Sequence, residues 1–143
     1  MIDDEIFLNH SSERVRKAFQ IAKIAHAGQI DKAGQDYIEH PKFVASKMLK
    51  SNNESAIIVA LLHDFLEDFL TDEERSSIKL LTHEKNVSYF DYIQQIKAND
   101  LARQVKLADL EHNSDLSRIA EPTQKDLDRL EKYKLAKKIL EAV

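Results

Sequence analysis

The chain has 143 residues, 43% hydrophobic and 32% charged, a size and composition that predict one domain around one core. Its 21 basic and 25 acidic side chains give a formal net charge of −4, which excludes a broad positive field for long nucleic acid but not a small anionic ligand. It has no cysteine, which excludes disulfides, thiolate metal sites and a cysteine nucleophile, so any metal must be held by His, Asp or Glu.

The opening stretch, MIDDEIFLNH, is acidic and lacks the basic start and apolar core of an export signal. No other run is apolar enough to span a bilayer, so a cytoplasmic protein without a membrane partner is expected. After HSSE, Val15, Ala18, Phe19, Ala22 and Ala25 recur at spacings of three and four, predicting a helix with one buried face that ends near Gly28. The stretch QIDKAGQDYIEH is the one long irregular segment, with a turn at Gly34 and Tyr37–Ile38 extended. Pro41 suits the first turn of a second helix, PKFVASKMLK, which puts His40 at its entrance.

SNNE supplies caps for a third helix, SAIIVALLHDFLED, apolar almost all round as a central helix must be. Thr71 and Glu74 have capping-box spacing for a fourth helix through Leu81, and SYFDYIQQIK predicts a fifth with Phe90, Ile93 and Ile96 inward. Asp100 is the expected cap of a sixth, LARQVKLADLEHN. Thr123 opens a last helix whose stripe is Leu127, Leu130, Tyr133, Ala136 and Leu140. The expected architecture is an all-α bundle of about six or seven helices, one unit over residues 1–143, with no repeat.

Polar chemistry interrupts the apolar third helix. On a continuous helix His63 and Glu67 share one face, as do Asp64 and Asp68. An unpaired carboxylate in an apolar interior costs several kcal/mol, roughly a large part of a domain's net stability, and a bound cation would remove that cost. Asp109, set among small and aliphatic residues with Asn113 one turn on, repeats the pattern on the sixth helix. Together with His40, three separate segments offer nitrogen and oxygen donors. Two imidazoles and two carboxylates suit a divalent first-row ion, with manganese, iron and zinc all fitting. Such an ion can acidify water and neutralise phosphoryl charge, as phosphate ester or anhydride hydrolysis requires.

The ordered segments AHAGQIDKAGQDYIEHP, ALLHDFLED and VKLADLEHN resemble those of HD-domain phosphohydrolases, in particular the hydrolase domain of alarmone synthetase/hydrolases and the small stand-alone alarmone hydrolases. The resemblance spans nearly the whole chain. It implies an HD-domain helical fold and manganese-dependent removal of the 3′-diphosphate from guanosine tetra- or pentaphosphate. It further implies that His40, His63, Asp64 and Asp109 are the metal ligands, that Glu67 and Asp68 are the catalytic acidic pair, and that Lys32 and Asn113 contact the nucleotide. The partner expected is thus a small guanine-based nucleotide; oligomeric state stays open. No synthetase domain is expected to follow.

The chain departs from the pattern twice. Asp31 stands where the family commonly has the arginine of an Arg-Lys pair, leaving only Lys32; an acid facing a highly anionic ligand would disfavour it by about 1–3 kcal/mol if partly desolvated. Leu110 and Glu111 stand where an arginine and a leucine usually follow the aspartate. The Asp31 departure keeps a second reading open, a nucleotidase or phosphodiesterase with the same metal and another nucleotide. A third is a binding module without catalysis, which has no physical need for ligands and an acidic pair together. His26 and His112 are expected to pack or to support ligands rather than bind metal, and Tyr37 to anchor its loop or stack on a base.

Overall fold

The computed structural model describes residues 2–51 and 53–142, which form eight α-helices and two short 3-10 turns. Asn52, one of the expected capping residues, lies outside the described residues, as do Met1 and Val143. The helices are α1 (Glu5–Leu8), α2 (Glu13–Ala25), α3 (Glu39–Met48), α4 (Glu54–Leu62), α5 (Asp72–Leu81), α6 (Tyr89–Lys97), α7 (Asp100–Asn113) and α8 (Gln124–Glu141). The expected all-α bundle is present, with α1 as an addition to the elements read from periodicity.

Helix α4 is the axis of the larger core. All seven residues from Ala56 to Leu62 are buried, and α2, α3, α5 and α7 pack against it. Burying one such Ile or Leu contributes about 1.5–3 kcal/mol, so this segment contributes a large share of the apolar stabilisation. A second apolar cluster joins Tyr92, Ile93 and Ile96 of α6 to Leu110 of α7 and to Ala136 and Leu140 of α8. Leu81 packs against both clusters.

The caps follow local chemistry. Ser12, Asn53, Thr71, Ser88 and Thr123 each accept a backbone N–H of the first turn they precede, and Thr71–Glu74 closes the expected capping box. The cap of α7 is Asn99, one residue before the expected Asp100. Three inward expectations fail near helix ends. Ala25 is exposed and His26 is buried in its place, while Phe90 is 44% exposed because Tyr92 takes the inward position on α6. Leu127, at the start of the α8 stripe, is also largely exposed. Tyr37 and Ile38 form a turn, not an extended pair, after an isolated bridge between Ile30 and Asp36; Gly34, at φ +81°, makes the turn inside that loop.

The main difference from expectation is the end of α4. The helix stops at Leu62, and residues 63–70 form a connection, so His63 and Glu67 do not share a helical face. The physical reason is the accumulation of Asp64, Glu67 and Asp68 at the negative end of a helix dipole, which opposes further helical turns. The His63 Nδ1–H donates to the Ala60 carbonyl at 2.9 Å, and Phe65 N–H to Leu62 at 2.8 Å, so two terminal carbonyls are satisfied locally.

Candidate metal centre and substrate cavity

The first turn of α3, the end of α4 and the second half of α7 meet at one point, bringing together His40, His63 and Asp109. Each offers one ligand atom, and those atoms lie within 4.8 Å of one another. His40 Nε2 lies 2.7 Å from Asp109 Oδ1. In each residue the other polar atom is already used. His63 Nδ1 binds the Ala60 carbonyl, His40 Nδ1 stands 2.7 Å from His112 Nδ1, and Asp109 Oδ2 accepts from Lys106 Nζ at 3.0 Å. One donor atom per residue is thereby turned inward, the arrangement that outer-shell partners impose around metals. Two imidazoles and a carboxylate fit a divalent first-row ion.

Asp64, the fourth expected ligand, is not in this group. Its carboxylate is 43% exposed, with Oδ1 3.7 Å from His63 Nε2. Donors about 2.1 Å from a common ion can stand up to roughly 4 Å apart, so Asp64 is within sharing distance of His63. The Tyr37 hydroxyl faces its other oxygen at 3.5 Å.

The charge on Asp109 is secured from below. Burial alone would raise its carboxyl pKa, but the Lys106 ammonium and the His40 ring outweigh burial and hold it well below the usual carboxylate range. Burial opposes the Lys106 charge too, and Asp109 outweighs that and raises its pKa. Burial, with His40 and Arg118 nearby, pushes His112 down to about 4, so this ring is neutral at pH 7 and shares a hydrogen bond with His40. Phe43 stacks on His112 with ring centres 4.3 Å apart, holding it as support for His40. His26 is packed against Tyr37 and Phe65 and bonded to Gln29, a structural role.

A cavity of about 580 Å³ opens beside the three donors, in the range of small-molecule sites. Lys32 and Asn113 line it, as expected, and Asn113 Nδ2 donates to Asp109 Oδ1 at 3.3 Å. Among the wall residues not picked out from the sequence are Arg118, Arg129, Tyr133 and the acidic Asp115. Periodicity marked Tyr133 only as part of an inner stripe, and no local signal separated the two arginines from other surface charges.

Glu67 and Asp68 do not line the cavity. Asp68 is fully exposed, 3.8 Å from Arg75, which also donates to the Glu67 carbonyl at 2.8 Å.

Both departures have a structural account. Asp31 does not face the cavity as a free charge. Its Oδ1 accepts from the N–H groups of Ala33 and Gln35, and its Oδ2 is bound by Arg118 Nη2 at 2.5 Å. Leu110 belongs to the second apolar cluster and Glu111 turns outward toward Lys47 at 3.5 Å, so neither alters the cavity wall.

No family model matches the chain. The guanosine-3′,5′-bis(diphosphate) 3′-pyrophosphohydrolase of Aquifex aeolicus is 41% identical over 81 residues, 54% of this chain and 11% of that protein. The chain is similar to alarmone hydrolases. The protein of the same name from Borreliella burgdorferi is 37% identical over 81 residues, 56% of the chain and 12% of the relative. The bifunctional (p)ppGpp synthase/hydrolase SpoT of Escherichia coli is 39% identical over 57 residues, 39% of the chain and 8% of the relative. The chain thus matches about a tenth of the length of these larger proteins. No described helix is long and apolar enough to cross a membrane.

Proposed function

We propose that this protein is a metal-dependent phosphohydrolase that removes the 3′-diphosphate from a guanosine tetra- or pentaphosphate. The observation that carries the reading is the convergence of His40, His63 and Asp109, each with its second polar atom engaged, beside a cavity lined by Lys32, Arg118 and Arg129. The relatives' names supply the substrate class. His40, His63 and Asp109, with Asp64 as a fourth ligand, would hold the ion, manganese in preference to iron or zinc. Such an ion supplies a Lewis acid for a phosphoryl oxygen and acidifies water. The proposed setting is the cytoplasm, the compartment expected for a nucleotide substrate.

The chain's own groups divide the remaining work. Lys32 offers an ammonium to the phosphates, and Asn113, bonded to Asp109, offers the nucleotide a neutral polar group at the cavity wall. Glu67 and Asp68 are assigned the proton and the orientation of attacking water, because they share the 63–70 connection with His63 and Asp64. Glu67→Gln is therefore expected to lower kcat about 100-fold with metal stoichiometry unchanged, measured by pyrophosphate release and metal analysis. Unaltered kcat would remove the acidic pair from the mechanism.

The deciding assay presents the manganese-loaded protein with guanosine tetraphosphate, other nucleoside diphosphates, nucleoside monophosphates and cyclic dinucleotides. Pyrophosphate release from guanosine tetraphosphate alone is the expected result. Turnover confined to another member of the panel would establish the nucleotidase or phosphodiesterase reading. Absence of both bound metal and turnover would leave a binding module.

A further inference from the structure

Asp31 and Arg118 lie 87 positions apart in the chain, and both line the cavity. Their side chains are 13% and 19% exposed, so the pair is largely removed from bulk water. Asp31 has no free hydrogen-bonding oxygen left over for a competing role. Two backbone N–H groups take Oδ1, and Arg118 takes Oδ2. Arg118 is in the opposite condition. A guanidinium has five N–H donors; one is spent on Asp31, and Nη1 makes only a long 3.5 Å contact with the His112 carbonyl. The rest of the fork is available at the cavity wall.

Because a fixed planar fork loses less freedom on binding than a mobile side chain, such a guanidinium is suited to bidentate contact with a phosphate. The acid at position 31 therefore orients a cation brought from the segment after α7, in place of a second cation on the loop beside Lys32.

We propose that Arg118 is the phosphate-recognising guanidinium of this cavity and that Asp31 is its positioning residue. The inference rests on the proposed phosphohydrolase reading for its substrate, but the anion contact itself does not depend on turnover. The alternative, a tie that only fastens the 29–37 loop to the 114–119 segment, makes a different prediction: loss of either partner would then have the same effect.

The test uses the manganese-loaded protein and two readouts, kinetics with guanosine tetraphosphate and calorimetric affinity for guanosine 5′-diphosphate. Arg118→Ala is expected to raise KM and weaken the diphosphate about 10- to 100-fold, the loss of one charged hydrogen-bonded contact, with kcat held within about twofold. Arg118→Lys, which keeps the charge and loses the fork, is expected to recover only part of this. Asp31→Ala is expected to raise KM about three- to tenfold, clearly less than Arg118→Ala.

Equal KM effects of Arg118→Ala and Asp31→Ala, full recovery by Arg118→Lys, or unchanged diphosphate affinity in Arg118→Ala would each overturn the proposal. Should the parent protein fail to hydrolyse guanosine tetraphosphate, the phosphohydrolase reading falls on that result. Weakened diphosphate binding in Arg118→Ala would then still support the role of Arg118.

Discussion

Asp109→Asn is expected to abolish stoichiometric metal binding and to reduce kcat/KM by a factor on the order of 10³ or more, because the ion would supply several kcal/mol of transition-state stabilisation. The asparagine is preferred to alanine for a reason visible in the structure. Lys106 is largely buried beside Asp109, with its ammonium 3.0 Å from Oδ2, and a truncated position 109 would leave that cation without a partner. Asp109→Ala should therefore also lower stability by about 3 kcal/mol, mixing a folding defect with loss of the ligand. The amide oxygen of Asn keeps an acceptor for Lys106 while removing the charge that attracts the ion. Metal analysis and thermal melting of the two variants separate these effects. An Asp109→Asn protein that retains one ion per chain would place the centre elsewhere.

Arg14→Ala is expected to cost about 3 kcal/mol at neutral pH, measured by urea unfolding, through a residue remote from the cavity. Glu74 is wholly buried. Arg14 grips both its oxygens, at 2.5 and 3.2 Å, while Ser55 Oγ donates at 2.7 Å and the Thr71 N–H at 2.9 Å. One carboxylate thereby links α2, α4 and α5. Removing Arg14 leaves a buried charge with two hydrogen bonds and no counter-ion, a far costlier state than loss of a surface pair. A change below about 1 kcal/mol would mean that Glu74 is solvated.

The same site sets a pH dependence. Burial would raise the Glu74 carboxyl pKa, but Arg14, Thr71 and Ser55 outweigh it and hold the folded value below the ordinary one. The unfolded chain thus binds the proton more readily. The stabilisation is complete above the unfolded value, about 4.3, and is lost as pH falls through the folded value. In Arg14→Ala burial is no longer opposed by that charge, so the rise of stability with pH across this acid range is expected to flatten or invert.

Asp31 illustrates how a local departure can mislead. From its neighbours alone it reads as an acid opposed to an anionic ligand, since nothing within the loop discloses Arg118. Glu67 and Asp68 illustrate the converse. Their spacing from His63 and Asp64 implies common helical faces only while the helix continues, and α4 ends before them because terminal carboxylates and the His63 side chain favour a stop. His112, by contrast, could be read as a supporting ring, and the stacking on Phe43 and contact with His40 agree with that reading.

The order and type of the helices, most of their caps, the central place of α4, and the donor chemistry of His40, His63 and Asp109 were determined by the sequence itself. Each depends on residue identity or on spacings of three and four along one helix. Only the tertiary structure decided that these three donors converge, that Asp64 stands beside them rather than among them, and that Asp31 is neutralised by Arg118. Those facts depend on how α3, α4, α7 and the 29–37 loop pack against one another, and contacts between segments dozens of residues apart leave no periodic trace along the chain.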